Sequence, residues 1–209
     1  SEFDYIANLL EKESRGQPIW INEIGYPTIG SKTELDQASF IRRAVATLLA
    51  TERISLISWY EIKDFRQDSD LGVIGDSNNY HLGLTYTDRK KKLGFYTYQT
   101  LVQLFNNQTL TYLGPQITYT EVNSLSEQVQ RIPLHAFRRE ADGHIILFVW
   151  LYGPARECEI TLTLPGTVRS MVEYSFDGTE TDYNGFLNDC IPNLKLRRDQ
   201  ARLFEIIMR

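Results

Sequence analysis

The chain has 209 residues, and its 42% hydrophobic content is enough to form cores in one or two domains. Its net charge is −5, and its basic run at Arg89–Lys92 has no wider basic surface around it, so we expect no nucleic-acid partner. No segment approaches the roughly 20 consecutive apolar residues that a membrane span needs, so no membrane partner is expected.

The cysteines and histidines have no spacing typical of a metal site, so we expect neither a metal nor a cofactor. Cys158 and Cys190 lie far apart in sequence, and two buried cysteines without a disulfide are the favoured interpretation. Cysteine usage therefore leaves the compartment open between extracellular and cytoplasmic.

Helical and strand patterns alternate in the first half of the chain. They predict, in order, a helix on Phe3, Ile6, Leu9 and Leu10 that ends near Gly16, a strand at Ile19–Glu23, a helix from an N-cap at Thr33 to about Thr51, a strand at Ile54–Tyr60, a loop at Asp64–Asn79 and a helix at Leu93–Phe105. The second strand is apolar on both faces, which is typical of a parallel sheet covered by helices. The order of elements predicts a parallel sheet with right-handed crossovers.

The helical period disappears after residue 108, and short strands follow one another. They are predicted at Gln116–Thr120, Arg131–Arg138, Ile145–Tyr152, Glu159–Leu164, Val168–Tyr174 and Leu203–Ile207. Asp142-Gly143 is a strong hairpin signal between two of them. We therefore expect an antiparallel β-sandwich domain at residues 110–209, in which Trp150 belongs to the core rather than to a sugar-binding surface.

Two parallel strands alone do not make a stable sheet, because both edges stay open and both faces need cover. Residues 1–109 therefore resemble the end of a larger parallel sheet. The missing strands would come from upstream sequence, from a second polypeptide or from a second copy of the chain.

The first strand ends in a single carboxylate, Glu23, which is followed by Gly25 and Pro27. In barrel enzymes the carboxyl ends of the strands hold the chemistry, and an unpaired Glu is costly to bury inside a strand. Glu23 is therefore a candidate catalytic residue. The alternative is a strand-capping Glu at a solvated edge.

Four motifs follow one another along the chain: the run Trp-Ile-Asn-Glu-Ile-Gly-Tyr-Pro at 20–27, Ser58–Asp64 with its Trp, His81–Leu84 and Lys92–Tyr96. Their order and spacing resemble the end of a clan A glycoside hydrolase, a retaining (β/α)8-barrel enzyme. The first motif is similar to the end of the seventh strand, with Asn22 where Thr or Ser is common, and the second is similar to the eighth strand. The third is similar to the element that follows the loop after that strand, and the fourth to the start of a helix, although the usual Lys-Pro-Ala-Tyr wording is not kept.

The resemblance spans the whole chain and implies a fold and an activity. The fold is α/β plus all-β: the C-terminal portion of a TIM (β/α)8 barrel at 1–109, followed by the β-sandwich domain. The activity is hydrolysis of an oligosaccharide or polysaccharide by double displacement, with Glu23 as the nucleophile. Trp59 would form an aromatic floor for the sugar, and Asn22, Tyr26 and Glu61 would complete the substrate-binding residues.

Alternatives stay open for individual residues. Tyr26 is equally a turn aromatic packed on Pro27, and for Glu61 or Asp64 the favoured interpretation is that it orders the following loop through its own hydrogen bonds. The pair Asn22-Glu23 also resembles the acid/base motif at the end of the fourth strand. The count of βα units that follow favours the seventh strand.

The acid/base Glu of this clan comes from the fourth strand, which the chain does not contain. We therefore expect the isolated chain to be inactive. The alternative function is a non-catalytic carbohydrate-binding or scaffolding module derived from a glycosidase. The residues do not determine the sugar, the linkage or exo versus endo action.

Overall fold

The computed structural model describes residues 17–65, 77–123, 131–198 and 200–209, together with Leu9, Lys12 and Glu13. The rest of the predicted first helix and most of the predicted Asp-rich loop, at 66–76, lie outside the described residues. The chain divides into two compact units, Ser1–Tyr96 and Thr97–Arg209.

The first unit contains strands and helices in alternation. They are β1 (Ile19–Ile24), α1 (Glu34–Leu49), β2 (Ile54–Trp59), a 3₁₀ turn at Ser77–His81 and the beginning of α2 (Leu93–Phe105). The predicted bounds of β1, α1, β2 and α2 agree with these to within two residues. Neither helix in the described part of the chain is long and apolar enough to cross a bilayer.

Helix α1 begins at a complete capping box. The Asp36 amide donates to the Thr33 hydroxyl at 3.2 Å, and the Thr33 amide donates back to the Asp36 carboxylate at 2.7 Å. These bonds satisfy helix N–H groups that otherwise have no partner, and the sequence-predicted cap is confirmed. The helix buries small and aliphatic side chains on one face, among them Ala38, Ile41 and Ala44.

Strands β1 and β2 pair in parallel, as the order of elements predicts, and form a two-stranded sheet. Trp20 lies opposite Leu56 in this sheet, and the two side chains are 66% and 42% exposed. An exposed Trp paired with an exposed Leu on a sheet with two open edges is an apolar surface with no cover from the described residues.

The second unit is antiparallel throughout its described strands. These are β3 (Leu110–Tyr112), β4 (Thr118–Asn123), β5 (Leu134–Arg139), β6 (Ile145–Val149), β7 (Glu157–Thr163), β8 (Val168–Tyr174), β9 (Glu180–Asp182), β10 (Cys190–Arg197) and β11 (Arg202–Met208). They form a three-stranded sheet in the order β10-β7-β4 and a six-stranded sheet in the order β3-β5-β6-β11-β8-β9. None of the sheets formed by the described residues closes on itself.

Both sheets of the second unit contribute to one hydrophobic core. Leu147 and Phe204 come from the six-stranded sheet, and Ile160 and Leu194 from the three-stranded sheet. On the six-stranded sheet, Phe148 stacks on Phe105 of α2 with ring centroids 5.9 Å apart. Trp150 is buried, which confirms its predicted place in the interior.

Three strands escaped the sequence prediction for identifiable reasons. β3 and β9 have only three residues each, too few to display an alternating pattern. β10 contains Pro192, and its pairing with β7 is interrupted between Ile191 and Leu194, where Asn193 has a φ of 52°. The one extra residue on β10 breaks the alternation that identifies a strand.

A polar network joins the β5–β6 hairpin to β11 and β8. Arg139 donates to Asp142 at 2.6 Å and to Glu205 at 2.5 Å. Glu205 also accepts from His144 Nδ1 at 2.7 Å and from the Tyr174 hydroxyl at 2.7 Å. Burial opposes ionisation of Glu205, but the bonds from His144, Tyr174 and Arg139 outweigh it and hold its pKa below 4.5. The Arg139 bond likewise holds the pKa of Asp142 below 3.8.

We expect the second unit to lose stability in acid through this network. A carboxylate whose pKa is lower in the folded than in the unfolded state stabilises the fold at neutral pH, and this contribution disappears as the pH falls through the folded pKa. The melting temperature should therefore fall between about pH 5 and pH 3. Glu205→Gln should cost about 1–3 kcal/mol at neutral pH and make the acid dependence shallower. Calorimetry from acid to neutral pH measures both, with Glu157→Gln, an exposed carboxylate on β7 of the other sheet, as the control. An unchanged acid profile in Glu205→Gln would contradict the assignment.

Candidate functional site

A bulge shapes the carboxyl end of β1. Ile21 pairs with Ile57 and Ile24 pairs with Trp59, so β1 has one more residue than β2 between these pairs. The additional length falls on Asn22 and Glu23, and both side chains are exposed. Bulges of this kind reorient side chains, and this one leaves a carboxylate accessible at the carboxyl end of a parallel strand.

The ladder continues one step beyond the bulge. The Tyr60 amide donates to the Ile24 carbonyl at 2.9 Å, which brings the residues after β2 against Gly25. A Cβ on Gly25 would overlap the Tyr60 carbonyl oxygen, so this close approach requires glycine. This close approach explains why glycine stands two residues after Glu23.

Trp59 lies on the side of the sheet that α1 covers. Its side chain is 9% exposed, its indole N–H donates to the Leu82 carbonyl at 3.2 Å, and its ring meets Phe40 edge-on with centroids 6.3 Å apart. Tyr26 stacks on the same Phe40 ring, with the two ring centroids 4.9 Å apart. Both predicted aromatic residues therefore pack against one residue of α1.

Tyr60 follows Trp59 directly after the end of β2 and is half-buried. Burial, then the charge of Glu61, then the charge of Glu23 raise the pKa of Tyr60 above 10. Its hydroxyl therefore lies within electrostatic reach of both carboxylates. Tyr60 was not among the predicted site residues, although its place directly after Trp59 was the signal that could have found it.

Glu61 is half-buried, and the segment that returns after the loop holds its backbone. Its amide donates to the Leu82 carbonyl at 3.4 Å, and its carbonyl accepts from the Leu84 amide at 2.9 Å. The side chain therefore projects from a backbone position that is fixed on both sides.

A buried ion pair lies below these residues. Lys92 is 0% exposed and Asp64 is 3% exposed, and the ammonium lies 2.7 Å from Asp64 Oδ1. Lys92 also donates to the Thr28 hydroxyl at 2.8 Å, and Asp64 Oδ1 accepts from the Gly83 amide at 2.8 Å. The hydrogen bond from Gly83 connects Asp64 to the segment that returns after the predicted loop. Residues 66–76 of that loop lie outside the described residues, so the loop-ordering role of Asp64 stays a prediction. The buried position of Lys92 was not foreseen, because Lys92 ends the basic run Arg89–Lys92 and such runs are usually solvated.

Side chains of helix α1 hydrogen-bond to the segment after β1 and to the segment that leads into α2. Gln37 donates to the Tyr26 carbonyl at 2.9 Å and to the Gly83 carbonyl at 3.2 Å. Glu34 accepts from the Tyr86 hydroxyl and, at 2.8 Å, from the Leu93 amide. The hydrogen bond to Glu34 is the main reason that the pKa of Tyr86 rises to about 12.

One group of side chains among the described residues has the composition of a metal site. Asp142, His144 and Glu205 offer ligand atoms within 4.8 Å of one another. Arg139 Nη2 already lies within 3.2 Å of an atom of each of them. The guanidinium thus supplies the positive charge that this group would otherwise take from a cation.

Comparison with solved structures identifies the fold. A family 39 glycoside hydrolase from the gut symbiont Bacteroides cellulosilyticus WH2 matches with a TM-score of 0.59 and 20% identity, over 98% of this chain and 37% of that chain. CelM2, a bifunctional glucanase-xylanase from a metagenome library, matches with a TM-score of 0.50 and 11% identity, over 99% of this chain and 34% of that chain. No protein-family model and no curated protein matches the sequence. The chain has a glycoside hydrolase-like fold and spans well under half the length of both structures.

The titration of Tyr60 tests the arrangement at the strand ends. Glu23→Gln and Glu61→Gln should each lower the pKa of Tyr60 toward 10, because each removes a negative charge that disfavours the tyrosinate. The pH dependence of the Tyr60 ring-carbon shift in ¹³C-tyrosine-labelled protein measures this. Glu52→Gln, an exposed carboxylate before β2, should leave the titration unchanged. If the pKa of Tyr60 does not respond to Glu23→Gln, the two side chains do not lie close together.

Proposed function

We propose that this chain is the C-terminal part of a retaining glycoside hydrolase and that Glu23 is its nucleophile. The observation that carries the proposal is the exposed carboxylate of Glu23 at the carboxyl end of a parallel strand, beside the residues that follow β2. The glycoside hydrolase-like fold supports it.

We further propose that β1 and β2 are the last two strands of a (β/α)8 barrel and that the second unit is a β-sandwich. The open edges of the two-stranded sheet and the exposed pair Trp20 and Leu56 support the first statement, because a closed barrel would cover both. The core shared by the two antiparallel sheets supports the second. The remaining barrel strands would come from upstream sequence or from another chain.

The reaction proceeds by two displacements at the anomeric carbon. A carboxylate oxygen of Glu23 forms a bond to this carbon while the glycosidic C–O bond breaks, and the leaving oxygen takes a proton from an acid. Water, deprotonated by the same acid/base group, then attacks the anomeric carbon and releases Glu23. The acid/base group belongs to the missing part of the barrel, so the isolated chain does not hydrolyse ordinary glycosides.

The proposed substrate-binding residues lie at the end of β1 and in the segments that follow β1 and β2. Asn22 and Glu61 supply polar groups for sugar hydroxyls, and Tyr26 borders the cleft with the edge of its ring. Trp59, the predicted aromatic floor, packs against Phe40 and borders the cleft from the α1 side, and Tyr60 adds an aromatic surface whose hydroxyl responds to the charge of Glu23. The substrate is an oligosaccharide or polysaccharide.

Covalent labelling tests the nucleophile. Dinitrophenyl 2-deoxy-2-fluoroglycosides of glucose, mannose and xylose carry a leaving group that departs without a proton, so labelling does not need the acid/base residue. At least one of them should add one fluorosugar to the protein, and peptide mass spectrometry should place it on Glu23.

The matched control separates this outcome from nonspecific alkylation. Glu23→Gln should take up no label, because an amide is a poor nucleophile, whereas Glu52→Gln should be labelled at the wild-type rate. A label on another carboxylate would refute the assignment of Glu23, and no labelling by any of the three sugars would refute the proposed function.

A further inference from the structure

The ammonium of Lys92 has a complete set of partners in the interior of the first unit. It lies 2.7 Å from Asp64 Oδ1 and 2.8 Å from Thr28 Oγ1, and 4.9 Å from the centroid of the Tyr86 ring. A buried ammonium that loses one of its partners keeps its desolvation cost without compensation. The three partners are therefore held in one arrangement around the charge.

The partners belong to different segments of the chain. Thr28 lies in the loop that follows β1 and Glu23, and Asp64 lies in the segment that follows β2. Because a Lys ammonium only donates, Thr28 Oγ1 accepts from Lys92 and directs its own proton to the His81 carbonyl at 3.3 Å. The Thr28 amide donates to the same carbonyl at 2.9 Å. The Thr28 hydroxyl thus connects the loop after β1 both to the Lys92–Asp64 ion pair and to His81.

Asp64 extends the connection on its side. Its Oδ1 accepts from the Gly83 amide. Next to Gly83, the Leu82 carbonyl accepts from the Trp59 indole, and Leu82 and Leu84 bind the Glu61 backbone. The chain of contacts therefore runs from the loop after Glu23 through Lys92 to the backbone that holds Glu61.

We propose that Lys92 is a positioning residue that couples the loop after Glu23 to the segment that holds Tyr60 and Glu61. Buried ion pairs often add little net stability compared with apolar residues of the same size, but they allow few alternative arrangements. The coupling then also fixes Glu23 relative to Tyr60. Only this consequence for the nucleophile rests on the proposed function.

Hydrogen exchange in the full chain tests the coupling without any substrate. Thr28→Val keeps the size of the side chain but removes the acceptor for Lys92. The Gly83 amide, in the other segment, should then exchange about 10- to 100-fold faster, the range expected when one bond to a charged group is lost. Lys92→Met should do the same. Thr28→Ser retains the acceptor and should exchange like the wild type.

Thr51→Val is the matched control for stability. Its hydroxyl donates to the Leu48 carbonyl at 2.8 Å at the end of α1, away from the strand ends that carry Glu23. It should leave the exchange of the Gly83 amide unchanged. Unaltered Gly83 exchange in Thr28→Val would overturn the coupling, and so would equal acceleration in Thr51→Val.

Labelling of Glu23 by the fluoroglycosides tests the consequence for the site. Thr28→Val should lower the labelling rate at saturation about tenfold without changing the half-saturating concentration, because positioning affects attack rather than binding. A change in the half-saturating concentration alone would overturn the positioning role. If the wild type takes up no label, the proposed function fails, and the exchange experiment decides the coupling by itself.

Discussion

The parallel pairing of β1 with β2 is the constraint on which the candidate site depends. It places Ile24 opposite Trp59, and the bulge before Ile24 then brings Glu23 beside the residues that follow β2. In a parallel pair both strands end at the same edge, so side chains far apart in sequence meet without any loop having to carry them there. The close approach of Gly25 to the Tyr60 carbonyl shows how tightly this edge is packed.

The interior next to the carboxyl ends of β1 and β2 contains buried polar and charged side chains. Lys92 and Asp64 are charged and buried, and buried Gln37 donates hydrogen bonds to three backbone carbonyls. Loops that leave adjacent strands expose carbonyl and amide groups that no sheet ladder satisfies. Buried side chains with several donors supply the missing partners and give the loops a defined conformation.

Local patterns predicted the elements of the first unit well. The Thr33 and Asp36 cap, the helical period of α1 and the apolar run at Ile54–Trp59 are all encoded in neighbouring residues. The facing of Trp59 was harder, because its direction depends on which side of the sheet α1 covers, and only its contact with Phe40 decides this. The burial of Lys92 depends on two partners 28 and 64 residues away and leaves no mark on its own neighbourhood.

The three tryptophans of the chain occupy unequal surroundings. Trp59 and Trp150 are enclosed, whereas Trp20 stands largely in solvent on the open face of the two-stranded sheet. Its fluorescence is therefore the component open to collisional quenchers such as acrylamide and emits at the longest wavelength. Any polypeptide that covers this face would shift that component to the blue and shield it, so the protein carries its own optical reporter of the cover on this sheet.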